Sequence, residues 1–185
     1  MMEEGRFIDL ALTNDVNAEI LKRLSSLSLP DSWLVSGSLF QAAWNALTKR
    51  APDYGVKDYD IFYFDPDTSW EAEDDVIRRC ASLFDDIDAT IEIRNQARVH
   101  LWYPEKFGQV YTALASSCEG IDRFLMSVSK VGLAADGRLY APEGLSDIEG
   151  MTIRPSRGPF FHAGVYAQKA ARWKDKWPEL TVLPA

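Results

Sequence analysis

The chain has 185 residues, 46% of them apolar, and a net charge of −8. That length and composition suit one compact domain with a real core, and the acidic balance excludes a protein built to coat nucleic acid or anionic membrane, so nonspecific DNA binding is not expected. Cys80 and Cys118 are far apart and lack ligand-type spacing, which points to a reducing compartment and away from a cysteine zinc site. No apolar run approaches the ~20 residues that cross a bilayer. The opening "MMEEGRFIDL" has no signal-peptide core, so a cytoplasmic location with no membrane partner is the expectation.

Asn14–Leu27 carries Val16, Ile20, Leu21, Leu24 and Leu27 at helical spacing and is closed by Pro30. Trp33–Ser36 reads as a short strand running into Gly37-Ser38, and Leu39–Lys49 as an Ala- and Leu-rich helix. After the loop Arg50–Gly55 comes a strand over Asp58–Phe64, ended by "DPDTS". Thr68 and Glu71 have capping-box spacing, which predicts a helix from Thr68 to Phe84 with Val76, Ile77, Cys80 and Leu83 inward. Asp88–Leu101 reads as the next strand, bent near its middle. Further on, Ile121–Val131 reads as a helix, "GLAADGRLYAPEGL" as turns around a short strand, and "MTIRPS" as another strand. The pattern of Val165–Trp177 predicts a packing helix that Trp177-Pro178 ends. The resulting fold class is α/β (α+β): a small mixed sheet flanked by helices over residues 1–104, with a C-terminal α+β extension over residues 105–185 packed on it.

Three features stand out together. Gly37-Ser38 sits at a strand-to-helix junction, where a glycine lets the backbone approach a ligand and the first helical amides suit a phosphate. Asp58 and Asp60 share one face of a strand, close enough to repel unless a cation lies between them. Hard oxygen ligands of this kind select Mg²⁺ or Mn²⁺, and Glu92, between Ile91 and Ile93 on a neighbouring strand, is placed to be a third. The bland readings of each piece are a Gly-Ser turn, a solvated Asp-x-Asp cap, and a Glu92 paired with Arg94 or Arg98.

In combination, Gly37-Ser38, Asp58-x-Asp60 and a lone carboxylate on a later strand resemble the signature of the polymerase-β-type nucleotidyltransferase superfamily. The blocks "DYDIFYFD", "IEIRNQARVH", "YAPEGLSDI", "TIRP" and "KWPEL" are similar to a bacterial family of small nucleotidyltransferases, the DUF925-type group, over Val35 to Leu180. The resemblance implies that Asp58, Asp60 and Glu92 are the catalytic metal ligands for Mg²⁺ or Mn²⁺, and that Gly37 and Ser38 hold the triphosphate of an NTP. One departure is Leu39-Phe40-Gln41, where many relatives are expected to carry a basic residue followed by Asn.

In a regular strand Glu92, Arg94, Gln96, Arg98 and His100 would share one face. Two readings of the arginines stand: a bidentate phosphate clamp, or an ion-pair ladder that neutralises the carboxylates. Asn95 and Gln96 read as residues that fix a bend. His100 and His162 read as structural, and Trp44, Trp70, Trp102, Trp173 and Trp177 as packing residues. Arg154, Arg157, Lys169, Arg172, Lys174 and Lys176 make the last third basic, most simply as a solvated face, with contact to the acceptor as the lesser reading. The expected activity is Mg-dependent transfer of a nucleoside monophosphate from an NTP to an acceptor of unknown identity (small molecule, RNA or protein), with release of pyrophosphate. The alternatives are an idle nucleotide-binding module and a toxin-like transferase acting on tRNA or protein.

Overall fold

The structure is a computed structural model and describes residues 2–185. Its elements, in chain order, are α1 (Glu4–Ala11), α2 (Asp15–Leu24), β1 (Trp33–Val35), α3 (Gly37–Leu47), β2 (Tyr59–Tyr63), α4 (Trp70–Leu83), β3 (Ile91–Asn95) and α5 (Val99–Phe107), followed by α6 (Ser117–Asp122), β4 (Gly132–Leu133), β5 (Leu139–Tyr140), α7 (Ser146–Glu149), β6 (Thr152–Ile153), α8 (Ala163–Lys176) and β7 (Thr181–Val182). Five strands form one sheet in the order β3-β2-β1-β4-β5, and β6 and β7 make a small parallel pair. The expected mixed α/β architecture is present. No helix among the described residues is long and apolar enough to cross a membrane.

Strand β2 organises the sheet. It runs antiparallel to β1, with Trp33 opposite Phe62, Leu34 opposite Ile61 and Val35 opposite Asp60. It runs parallel to β3, with Asp60 paired to Glu92 and Phe62 to Arg94. Because side chains alternate, Leu34, Tyr59, Ile61, Tyr63 and Ile93 turn into the main core, together with Phe7, Ile20, Leu24, Phe40 and Trp44 of the helices. The opposite face carries Trp33, Val35 and Phe62, and Ile121 of α6 covers part of it. Phe62 stacks on Phe124 with ring centroids 5.7 Å apart. The same face of β2 and β3 carries Asp60 and Glu92.

The C-terminal helix is fastened by aromatics. Trp173 and Trp177 meet Trp44 edge-on at 6.1 and 5.5 Å, and Trp177 donates its indole N–H to Asn45 Oδ1 at 2.9 Å. Asn45 in turn donates to the carbonyls of Pro52 and Tyr54, so α3, α8 and the loop leading to β2 are tied at one residue. Residues of other blocks that carry the family resemblance do similar work. Asp147 accepts from Ser127 Oγ at 2.6 Å and Arg154 Nε at 2.9 Å, and Glu179 pairs with both terminal nitrogens of Arg50 at 2.9 and 3.1 Å.

Several elements differ from the sequence expectation. Ser69, not Thr68, caps α4, accepting from the Ala72 amide at 3.3 Å. The strand expected to run to Leu101 ends at Asn95, whose Oδ1 accepts from the Ala97 amide at 3.0 Å and turns the chain into a short 3₁₀ turn and then α5. The helix expected over Ile121–Val131 is cut short after Asp122. There the chain is drawn into pairing instead: Ser127 donates to the Arg154 carbonyl, and the Val131 carbonyl accepts from Ser36. Helix α1 was not anticipated; its signal is only Phe7 and Ala11, one turn apart and both buried. Trp70 and Trp102 are exposed rather than packed.

Gly55 has φ +74°, and a Cβ there would lie 2.7 Å from the buried Trp177 ring. Gly55→Ala is therefore expected to lower stability by about 2–3 kcal/mol, read from the urea midpoint, through left-handed strain plus overpacking. A cost within about 0.5 kcal/mol would contradict this packing.

Candidate active site

The site begins at a strained turn. Ser36 holds φ +58° and ψ −115°, a conformation that non-glycine residues rarely adopt. Its amide donates to the Val131 carbonyl at 2.8 Å, which fixes the turn from β4's side. This abrupt switch lets α3 start directly after β1, so the Gly37 and Ser38 amides are the first of the helix and have no acceptor within it. The Ser38 side chain is 1% exposed, and its Oγ has no hydrogen-bond partner. Gln41, one turn on, is buried with its Oε1 unpartnered, and a Cβ at position 37 would lie 3.4 Å from its Nε2. Asn17 of α2 braces the junction by donating to the carbonyls of Ala11 (2.9 Å) and Ser38 (3.0 Å).

The carboxylates lie alongside. The register puts Asp60 directly between Val35, the residue before the strained turn, and Glu92. Asp58 precedes Asp60 by two residues and lies at the mouth of β2. Burial first, then the charges of Asp58 and Glu92, push the Asp60 carboxyl up to about 6, against the opposing pull of Lys169 and Arg94. The charges of the other two sequence-predicted carboxylates thus both bear on Asp60. Asp58 leans on Lys57 at 3.5 Å, and Glu92 leans on Arg94 at 3.5 Å. Among the described residues no three His, Cys, Asp or Glu side chains are already drawn around one metal-sized point. As a donor set, three carboxylates on the same stretch of the sheet have the oxygen chemistry that suits a hard divalent cation.

The two arginines part company. Arg94 stays on the carboxylate face, exposed, with its guanidinium on the Ile93 carbonyl and Glu92. Arg98 has left the strand. Its Nε lies 2.8 Å from Oε2 of the buried Glu73, it donates to the Thr68 carbonyl, and its guanidinium lies over the Trp70 ring. Glu73 also accepts from the Asn95 amide at 2.9 Å. Of the two readings, Arg98 makes the structural ion pair, with Glu73 instead of the site carboxylates, and Arg94 remains beside the site. His162 caps α8 by accepting from the Val165 amide.

Sequence reasoning passed over two neighbours of the site and gave a third residue a functional role only as the lesser of two readings. Ser36 and Gln41 flank the Gly-Ser pair, and the only sequence signal was their adjacency to it. Lys169 is exposed, as a solvated basic face expects, yet its charge bears on Asp60 from α8. Packing and the neighbouring Arg172 hold its ammonium below the ordinary lysine range, while Asp60 and Asp58 pull the other way.

Two measurements check this geometry. The folded-state value of Asp60 lies above the ordinary 3.8, so ionising it opposes folding. The penalty is absent below about pH 4, grows to pH 6 and is complete at neutral pH. Asp60→Asn should raise the stability of the metal-free protein by about 1–2 kcal/mol at pH 7.5, with the gain fading by pH 4. A gain independent of pH would refute the raised Asp60 carboxyl. Arg98→Met should cost about 3 kcal/mol by stranding buried Glu73, while Arg94→Met should stay within about 0.5 kcal/mol. Equal costs in chemical denaturation would erase the distinction drawn between the two arginines.

Comparisons with known proteins give the family and the fold. A nucleotidyltransferase family model, NTP_transf_6, matches residues 22–182. No curated protein matches. Among solved structures, an NMR structure described as revealing a CCA-adding enzyme head domain is similar to this chain at 28% identity and a TM-score of 0.73, covering 93% of this chain and 91% of that one. The chain belongs to the NTP_transf_6 family of nucleotidyltransferases.

Proposed function

We propose that the protein transfers a nucleoside monophosphate from an NTP to an acceptor hydroxyl, with Mg²⁺ or Mn²⁺ as its cofactor. The observation that carries the reading is the alignment of Val35, Asp60 and Glu92 across three strands, beside the Ser36–Ser38 turn, with the Asp60 carboxyl raised to about 6. Asp58, Asp60 and Glu92 would hold the cation, which when bound supplies charge to the phosphates and acidifies the acceptor hydroxyl. To do so, Asp58 and Glu92 give up only exposed pairs with Lys57 and Arg94, which are worth little.

The chain's own groups account for the rest. The Gly37 and Ser38 amides and the unpartnered Ser38 hydroxyl donate to the phosphates, in a turn whose strain is prepaid by the fold. Arg94 is placed to pair with a phosphate oxygen once Glu92 is engaged. The acceptor oxygen bonds to the α-phosphorus as the bond from that phosphorus to the bridging oxygen breaks. The hydroxyl proton passes to Glu92, at the open rim, and pyrophosphate leaves. Positioning and charge stabilisation supply most of the rate. The similarity to a CCA-adding enzyme head domain supports a nucleotide as the transferred group.

Incubation with α-³²P-labelled NTPs, Mg²⁺ or Mn²⁺ and cell extract should label an acceptor, with the label reduced by about 10³-fold or more in Asp60→Asn and Glu92→Gln. If the wild type labels nothing while binding NTP, the idle nucleotide-binding module is favoured. Labelling unchanged in both variants would remove these carboxylates from the chemistry.

A further inference from the structure

We propose that Lys169, seconded by Arg172, is the cation that holds the polyphosphate tail of the donor nucleotide against the acidic pair. The inference rests on the nucleotidyl-transfer reading above and adds to it a residue from the far end of the chain. Helix α8 presents two flanks. Tyr166, Ala170 and Trp173, with Trp177 just beyond the helix, are buried against the core. The flank beside them carries Lys169, Arg172 and Lys176 at positions i, i+3 and i+7, a single stripe of cations on a helix.

The stripe has a fixed place. Lys176 donates to the Gly55 carbonyl at 3.0 Å, and the Tyr54 ring lies 5.7 Å from Trp177. One end of the stripe therefore sits on the loop that enters β2, three residues before Asp58. Lys169 lies two turns back along α8, a displacement of about 10 Å; because Trp173 meets Phe40 and Trp177 meets Trp44, α8 runs along α3 in the same direction and Lys169, one turn before Trp173, comes level with the start of α3. There it and the acidic pair feel one another: Lys169 and Arg94 are the two cations that bear on Asp60, reaching it from different elements. Phe40 of α3 packs on Trp173 at 5.1 Å, so the helix that opens with Gly37-Ser38 and the helix that carries Lys169 are one rigid pair.

Neither Lys169 nor Arg172 makes a hydrogen bond or an ion pair among the described residues. Their neighbours on the same stretch are committed: Lys174 to the Pro178 and Leu180 carbonyls, and Lys176 to Gly55. Two free like charges side by side repel, and an anion relieves that repulsion as a cation relieves the carboxylates. One cleft thus pairs an acidic wall with a basic wall, the charge pattern of a ligand that arrives as a polyphosphate bound to a divalent metal. The α3 amides would take the phosphates from one side and Lys169 from the other.

The test uses the full chain and binding alone. Calorimetric titration of wild type, Lys169→Met, Lys169→Arg, Arg172→Gln and Asp60→Asn would be run with inorganic tripolyphosphate plus Mg²⁺, with AMP plus Mg²⁺, and with Mn²⁺ by itself. Lys169→Met should bind tripolyphosphate roughly 10–100-fold more weakly, leave AMP binding within about 2-fold and bind Mn²⁺ at least as tightly as wild type, because a nearby positive charge has gone. Lys169→Arg should restore tripolyphosphate binding, and Arg172→Gln should show a smaller loss. Asp60→Asn should instead lose Mn²⁺. Unchanged melting temperatures would confirm that the variants fold. Wild-type-like tripolyphosphate binding by Lys169→Met, with Asp60→Asn defective, would overturn this inference and leave the proposed reaction standing. Failure of the wild type to bind Mn²⁺ and tripolyphosphate would overturn both.

Discussion

Strand β2 can sit in one register only. Tyr59, Ile61 and Tyr63 are almost fully buried, while Asp60 and Phe62 turn the other way and Asp58 precedes them at the same spacing. A slip of one residue would put two carboxylates into the main core and three large side chains into the cleft, a loss of several kcal/mol on either face. The register that satisfies the core is thus the one that sets Asp60 beside Glu92 and at the end of β1. Core packing pays for the electrostatic strain of the site.

The same division runs through the rest of the chain. Residues that look chemical in sequence divide into those that touch the cleft and those that hold its frame. Asn95, Arg98 and Glu73 form a buried polar knot at the end of β3, and Asp147 with Arg154 stitches the last third together. The first is held by buried partners and the second by a more exposed pair, and both lie in segments that resemble the family without standing in the site. The aromatic stack of Phe40, Trp44, Trp173 and Trp177 fixes α8 against α3.

Legibility in the sequence followed the strength of local signals. The Asp58/Asp60 pair, the Gly37-Ser38 junction and the helix around Trp173 were readable because period-2 and period-3.6 patterns are strong there. Glu92 was readable only because β3 stays regular as far as Asn95. The end of that strand was not, because it is set by one side chain, Asn95, capping the turn that follows, and the face shared by Glu92 and Arg94 therefore does not extend to Arg98. Strands of two residues such as β4 and β5 are set by tertiary pairing, not by local pattern. Lys169 was out of reach for a related reason: its position depends on how α8 docks, which no spacing near residue 169 encodes.

The central claim is that Gly37-Ser38, Asp58, Asp60 and Glu92 form one cation-centred site. The most direct measurement is paramagnetic broadening of backbone amide NMR signals by substoichiometric Mn²⁺. The account predicts that the amides of Ser36–Ser38, Asp58–Asp60 and Glu92 broaden first and together, and that the effect is lost in Asp60→Asn. Broadening centred on another acidic stretch, such as Asp85–Asp88, or left intact by Asp60→Asn, would contradict it.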